Sequence, residues 1–270
     1  RQRQMCIRDR PHTVAPLPYS AQLGGRFRQM QRYTSTIYTG DCRDMLAELD
    51  DNSVDLILTD PPYQLGEFMQ SRNAGVHRMR DNFLVSAGWD NGDRDSVHTL
   101  LEDVISESAR VLKKRGALVM FLSTRLLSPV QEMADANKLY YKTTGVWHKT
   151  NPMPLNMNLH FVSSTELWVY YVAGGRTGTF NNDGKVVHNF VETSVTPKSQ
   201  RAFGKHPTQK PVELMEHFVS LLSNPGELVV DPFLGSGTTA VAAHNLGRRV
   251  IGSEIDPKYA EITRKRCGLD

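Results

Sequence analysis

The chain has 270 residues, of which 39% are hydrophobic, enough for one sizeable core and, by length alone, one or two domains. It has no apolar run of about 18 residues and no continuous apolar stretch behind its basic N-terminus, so neither a membrane helix nor a secretory signal is expected. The net charge of +3 is uneven, with seven arginines against Asp9 in residues 1–32 and a mildly acidic remainder, so overall basicity is no argument for a nucleic-acid partner.

Residues 1–32 read as a disordered or non-native tail without apolar period. Ile37 and Tyr38 open a strand that stops at Gly40-Asp41, and Met45, Leu46 and Leu49 mark a short helix. Val54, Leu56 and Leu58 alternate toward Asp60, where Pro61-Pro62 end the strand. Residues 64–95 read as a long loop. A helical stripe runs from Val97 to Leu112, Gly116 is read as its end, and residues 117–122 form a buried strand. A helix near 126–138 and strands near 139–148 and 166–172 follow, with polar stretches at 149–165 and 173–207. The last third predicts a helix of about fifteen residues starting at Pro211, strand 227–231, helix 238–247, strand 248–254, and a final helix capped by Asp256. Alternating strands and helices imply a parallel α/β sheet.

Cys6, Cys42 and Cys267 are far apart and form no CxxC pair, which suits a reducing cytoplasm and predicts neither a metal site nor a disulfide framework. Local basic clusters are Lys142, His148 and Lys149, then Lys198, Arg201, Lys205, His206 and Lys210; each reads equally as a solvated face.

Asp231-Pro-Phe-Leu-Gly-Ser-Gly-Thr-Thr lies between a strand and a helix. Glycines let the backbone approach a ligand, and the helix start offers unpaired N–H groups. Glu254 ends the next strand, where a carboxylate can accept both hydroxyls of a ribose. Gly235-x-Gly237-x-x-Ala240 also matches a dinucleotide fingerprint, and a tight structural turn needs glycine too. A second chemical site elsewhere, with only about one βαβ unit after the loop, favours a nucleoside without pyrophosphate. No Gly-Lys-Ser/Thr follows, which excludes a P-loop.

Asp60-Pro61-Pro62-Tyr63 is the second constellation. Proline has no N–H, so the turn exposes carbonyls. The Asp60 carboxylate and the Pro61 carbonyl can accept the two N–H donors of an amino group, freeing its lone pair for a methyl donor. Tyr63 offers a face for stacking an extruded base. Alone, the tetrapeptide also reads as a strand terminator.

Four segments together, TDPPY (59–63), HPTQKP (206–211), DPFLGSGTT (231–239) and GSEIDPKY (252–259), resemble the DNA amino-methyltransferases of the circularly permuted beta class. In that group the catalytic motif precedes the cofactor loop. The resemblance covers about residues 35–267. It implies a Rossmann-like α/β S-adenosylmethionine-dependent methyltransferase fold with a small inserted recognition region. Residues 33–152 would be the catalytic half, 153–205 the target-recognition region, and 206–270 the cofactor-binding half. It implies that Asp60, Pro61, Pro62 and Tyr63 hold the target base. Asp231, Phe233, Gly235, Ser236, Gly237 and Thr238 would surround the cofactor, with Glu254 on its ribose, Asp41 on its adenine, and Lys210 and Pro211 at its methionine end. Lys149, Asn151, Pro152 and His206 would face the DNA or the flipped base, and Trp89-Asp90 matches a pair that often follows the catalytic motif. Duplex DNA is the implied partner, no metal is implied, and the likeness admits a homodimer and a cognate restriction endonuclease. Asp60 points to adenine N6, since cytosine-N4 enzymes of this kind more often carry Ser there. Cytosine N4 stays open, as do an RNA or protein methyltransferase and a non-catalytic DNA-binding module.

Overall fold

In the computed structural model, which describes residues 35–62, 94–154 and 161–269, eight strands among the described residues share one sheet. They are β1 (Ser35–Thr39), β2 (Val54–Thr59), β3 (Leu112–Leu122), β4 (Leu139–Lys149), β5 (Thr165–Ala173), β6 (Phe190–Thr193), β7 (Leu228–Asp231) and β8 (Arg249–Glu254), in the order β1-β8-β7-β2-β3-β5-β4-β6. The helices are α1 (Cys42–Ala47), α2 (Arg94–Val111), α3 (Leu127–Ala136), α4 (Val212–Leu222), α5 (Thr238–Asn245) and α6 (Pro257–Cys267).

Side chains alternate across a strand, so each central strand feeds two cores. Val54 and Ile57 of β2, with Leu118, Met120 and Leu122 of β3, pack among residues of α1, α2 and α3. Leu56 and Leu58, with Ala117, Val119 and Phe121, pack among those of α4 and α5. Burial on both faces explains the unbroken apolar run of β3, a pattern typical of a covered central strand.

The strands β1, β8, β7, β2 and β3 are mutually parallel. The wholly parallel sheet expected from the sequence is corrected at β5, which runs antiparallel to both β3 and β4. No helix lies between β4 and β5 among the described residues, and a parallel pair needs a long crossover, so the chain returns in the opposite direction. β6 then pairs parallel with β4 inside a stretch read as polar connection, because only Val191 of its four residues is buried.

Two boundaries also move. α2 ends at Val111 rather than at Gly116, and Lys113–Gly116 belong to β3, where Arg115 takes φ +74° and the register with β2 shifts between Val54 and Leu56. Pro211 caps α4 in extended conformation (φ −69°, ψ 145°) rather than occupying its first turn. The tail at 1–32, most of the 64–95 loop, Tyr63 and Trp89-Asp90 lie outside the described residues.

Candidate functional site

The register brings four strand ends to one edge. Tyr38 and Thr39 of β1 pair with Ser253 and Glu254 of β8, Asp231 of β7 pairs with Gly252, and β2 pairs with β7 through Ile57 and Val230. Gly40-Asp41, Glu254, Asp231 and Asp60 therefore all sit at the carboxyl ends of neighbouring parallel strands. The chain leaves β7 toward β8 on one side and β2 toward β3 on the other, and such a switch point opens a crevice in α/β sheets. The antiparallel turn of β5 adds to the same edge: its first residues lie beside the end of β3, and the end of β4 lies beside them.

A cavity of about 540 Å³ occupies this edge, and Asp41, Asp60, Pro62, His206, Lys210, Phe233, Gly235, Ser236, Thr238 and Glu254 all line it. Asp60 and Pro62 and the glycine loop, 171 positions apart from Asp60 to Asp231, thus open into one space.

The loop is held by its neighbours. Asp231, 3% exposed, accepts from Thr59 Oγ1 (2.7 Å) and from the Phe233 N–H (3.0 Å), which ties β7 to β2 below the cavity. Burial pushes its carboxyl up to about 6, against these donors. Gly235 and Gly237 take φ +56° and +80°, left-handed values that favour glycine. A Cβ on Gly237 would sit 2.4 Å from Thr263 Cγ2 of α6. Arg266 of α6 donates to the Ser236 carbonyl (2.6 Å), and Thr238 Oγ1 donates to the Lys210 carbonyl (3.1 Å).

Glu254 braces the loop from the other side. Its Oε2 accepts from the Gly235 N–H and its Oε1 from the Asp256 N–H, each at 2.8 Å. Burial raises its carboxyl to about 7, the two N–H donors pulling the other way. Asp41 caps α1 through the Arg43 N–H (2.9 Å) and pairs with the Arg43 guanidinium (2.6 Å), which holds its carboxyl below the usual range. His206 packs edge-on against Tyr259 with centroids 4.4 Å apart and lies beside Gly235. Burial first, then the Lys210 cation, lowers its imidazole to about 4, so it is neutral at pH 7. His206, expected from the resemblance to face the DNA, lies beside the glycine loop.

Lys210 does something the sequence did not suggest. Its ammonium, 4% exposed, pairs with Asp60 and, at 3.0 Å, with Glu166 at the start of β5. Glu166 in turn binds Lys149 at the end of β4 (2.6 Å). Burial alone would lower the Lys210 ammonium, but the Asp60 and Glu166 carboxylates outweigh it and raise it. Glu166 is the residue sequence reasoning missed. Its signal was a lone acid at the mouth of the apolar run Leu167–Ala173.

Asn151 Oδ1 accepts from the Val195 N–H (2.8 Å), and Pro152 is half-buried beside it. His148 pairs with Glu192 (2.7 Å), so in the first basic cluster both His148 and Lys149 face carboxylates within the fold. Among the described residues no group of three or more His, Cys, Asp or Glu could hold a metal, and no helix is long and apolar enough to cross a membrane.

A family model described as DNA methylase matches residues 54–265. The chain belongs to this family, whose members methylate exocyclic N6 or N4 amino groups. A type II methyltransferase of Streptococcus pneumoniae, M2.DpnII, is 32% identical over 241 residues, 84% of this chain and 87% of its own. The crystal structure of M1.HpyAVI with S-adenosylmethionine superposes with TM-score 0.67 at 30% identity, covering 86% of this chain and 98% of that one. The cytosine-N4-specific PvuII DNA methyltransferase superposes with TM-score 0.69 at 19% identity, covering 87% of each chain, which shows the shared fold. The fold is that of S-adenosylmethionine-dependent DNA methyltransferases, and S-adenosylmethionine is the cofactor of this DNA methyltransferase.

The residues present fit that cofactor. The cavity has a volume usual for a small-molecule site, a loop whose glycines admit close approach, and a half-buried carboxylate in Glu254.

Proposed function

We propose that the chain methylates adenine N6 in duplex DNA on a base turned out of the helix. The observation that carries this is the single cavity lined by both Asp60-Pro62 and the Gly235–Glu254 wall. Bound S-adenosylmethionine supplies an electrophilic methyl group on a sulfonium. Glu254 would accept from its ribose, while Phe233, Gly235, Ser236, Gly237 and Thr238 would line its amino-acid and ribose portions, and Gly40-Asp41 its adenine end.

Asp60 and the Pro61 carbonyl accept the two N–H groups of the target amine. That withdraws the nitrogen lone pair from the ring and aims it into the cavity, so orientation and electrostatics supply most of the acceleration. The amine proton becomes acidic only after the new bond forms, so Asp60 need not be a strong base. Tyr63 would stack on the base. Lys149, Asn151 and Pro152 would border its entry, and residues 153–205 would form the target-recognition region. Exposed Met153, Phe190 and Phe203 offer that region apolar contacts for DNA. Adenine is favoured by the aspartate at position 60. The class of the relatives, type II methyltransferase, is in keeping with methyl transfer as the activity.

A transfer assay with methyl-labelled cofactor and equal amounts of duplex DNA, RNA and protein tests the acceptor class. Label in duplex DNA is expected. Label confined to RNA or protein would overturn the reading, and no label despite cofactor binding would indicate a non-catalytic DNA-binding module.

A further inference from the structure

The ion pairs beneath the catalytic tetrapeptide form a chain, Asp60–Lys210–Glu166–Lys149, running from β2 across to β5 and β4. Glu166 stands at its centre and spreads its two oxygens over two lysines: Oε2 to Lys210 at 3.0 Å and Oε1 to Lys149 at 2.6 Å. Lys210 is 4% exposed, Asp60 18% and Glu166 22%, so the pairs lie where solvent screens little. Such a pair is worth little as a stabiliser in itself, but removal of one member leaves a neighbour buried and uncompensated. The Lys210 ammonium also lies 5.3 Å from the Phe121 ring, which closes another side.

We propose that Glu166 is a positioning residue for methyl transfer: it acts through Lys210, with Lys149 clamping its other oxygen, to hold the Asp60 carboxylate in one place. The inference rests on the reading of Asp60 as the group that accepts from the target amine. Two carboxylates share one buried ammonium, so Glu166 gives the Lys210 side chain a second anchor besides Asp60. Without Glu166, Lys210 would lose one of its anchors, and the Asp60 carboxylate that it pairs with, the acceptor for the amine, would move with it. Displacement of a reacting group by about 1 Å can cost roughly 100-fold in rate.

Among the described residues, the titratable groups of this cluster are Asp60 just past the end of β2, Lys210, Glu166 on β5 and Lys149 on β4, with His206 and Asp231 beyond them sensing its charges. Glu166→Gln keeps the shape and removes the one negative charge shared by two lysines. Lys210 then loses one of the carboxylates that hold its charge, and burial drives its ammonium down. The alkaline limb of the kcat–pH profile should move to lower pH.

The test compares wild type, Glu166→Gln and Glu166→Asp as full chains. Glu166→Gln is expected to lower kcat roughly 10- to 100-fold. KM for DNA and Kd for cofactor should stay near wild type, and the alkaline limb should shift down. Glu166→Asp restores the charge and should recover the wild-type limb with part of kcat. An unchanged kcat and limb in Glu166→Gln, or equal losses in kcat and cofactor binding for both variants, would overturn the proposal. A second readout needs no turnover: lysine-ammonium NMR of the cofactor-free chain, with Lys210 assigned by Lys210→Met. A slowly exchanging Lys210 ammonium at pH 8 that disappears in Glu166→Gln supports the proposal, and one that persists unchanged overturns it. Failure of wild type to methylate DNA would instead count against the functional reading, with the NMR result still deciding the role of Glu166. Should Glu166→Gln not fold, Lys149→Met, which releases the second oxygen of Glu166, carries the same measurements, with Glu166→Asp as the charge-retaining control.

Discussion

Replacing Glu254 by Gln tests the cofactor wall at the place where geometry and ionisation both bear. The carboxylate accepts from two backbone N–H groups, Gly235 and Asp256, each at 2.8 Å. An amide of the same shape has one acceptor oxygen, so its NH₂ must face one of those donors. One charge-assisted hydrogen bond is lost at the loop, and the ribose hydroxyls meet a neutral group instead of an anion. Hydrogen bonds to charged groups contribute about 1.5–3 kcal/mol each, so cofactor Kd should rise roughly 10- to 100-fold. Ionisation adds a second signature. Burial raises the folded carboxyl to about 7, so the folded chain holds this proton more tightly than the unfolded one. The resulting stability is present below the unfolded value and is lost as pH rises through about 7. Cofactor binding runs the opposite way under the proposed role of Glu254, in which the anion holds the ribose: affinity should fall as pH drops through about 7. Isothermal titration calorimetry with S-adenosylmethionine from about pH 5.5 to 8.5 reads both effects. The wild type should weaken toward acid and the variant should be nearly flat. A variant Kd equal to wild type at pH 8, or an undiminished pH dependence in the variant, would refute the reasoning.

Asp60→Ala should lower methyl transfer roughly 100- to 1000-fold or more while cofactor titration gives a Kd close to wild type; substantial turnover would remove Asp60 from its role. Gly237→Ala places a Cβ 2.4 Å from Thr263 Cγ2 at a left-handed position (φ +80°), and it should destabilise the fold by about 2–4 kcal/mol in urea unfolding. Retention of wild-type stability there would mean that α6 gives way easily. Thr59→Val keeps the volume but deletes the 2.7 Å donor to buried Asp231, and it should cost about 1–3 kcal/mol, read as a lower Tm. An unchanged Tm would show that Asp231 does not depend on β2.

The parts of this fold that follow local rules were legible in the sequence. β2, β7 and β8 announced themselves by alternating or continuous apolar residues that stop at Asp60, Asp231 and Glu254, and α6 by Asp256 followed by Pro257. The antiparallel course of β5 was not, because strand direction depends on what connects the strands and not on the residues within them. β6 was missed for want of burial, with Val191 alone turned inward. The candidate site divides the same way. Gly235, Gly237 and Glu254 could be placed near one another from a single strand–helix–strand unit. The pairing of Lys210 with Asp60 spans 150 positions, and that of Glu166 with Lys149 needs the reversal at β5, so neither leaves a short-range trace. Lys149 and Lys210 looked like part of a basic surface, yet both are engaged by carboxylates within the fold.

The central claim is the identity of the methylated atom. Purified protein should be incubated with S-adenosylmethionine and unmethylated duplex DNA, the DNA digested to nucleosides, and the products resolved by mass spectrometry. 6-Methyladenine is expected, and it should be absent when Asp60→Ala replaces the wild type. Appearance of 4-methylcytosine instead would contradict the assignment of adenine N6 while leaving the cavity and its cofactor wall in place.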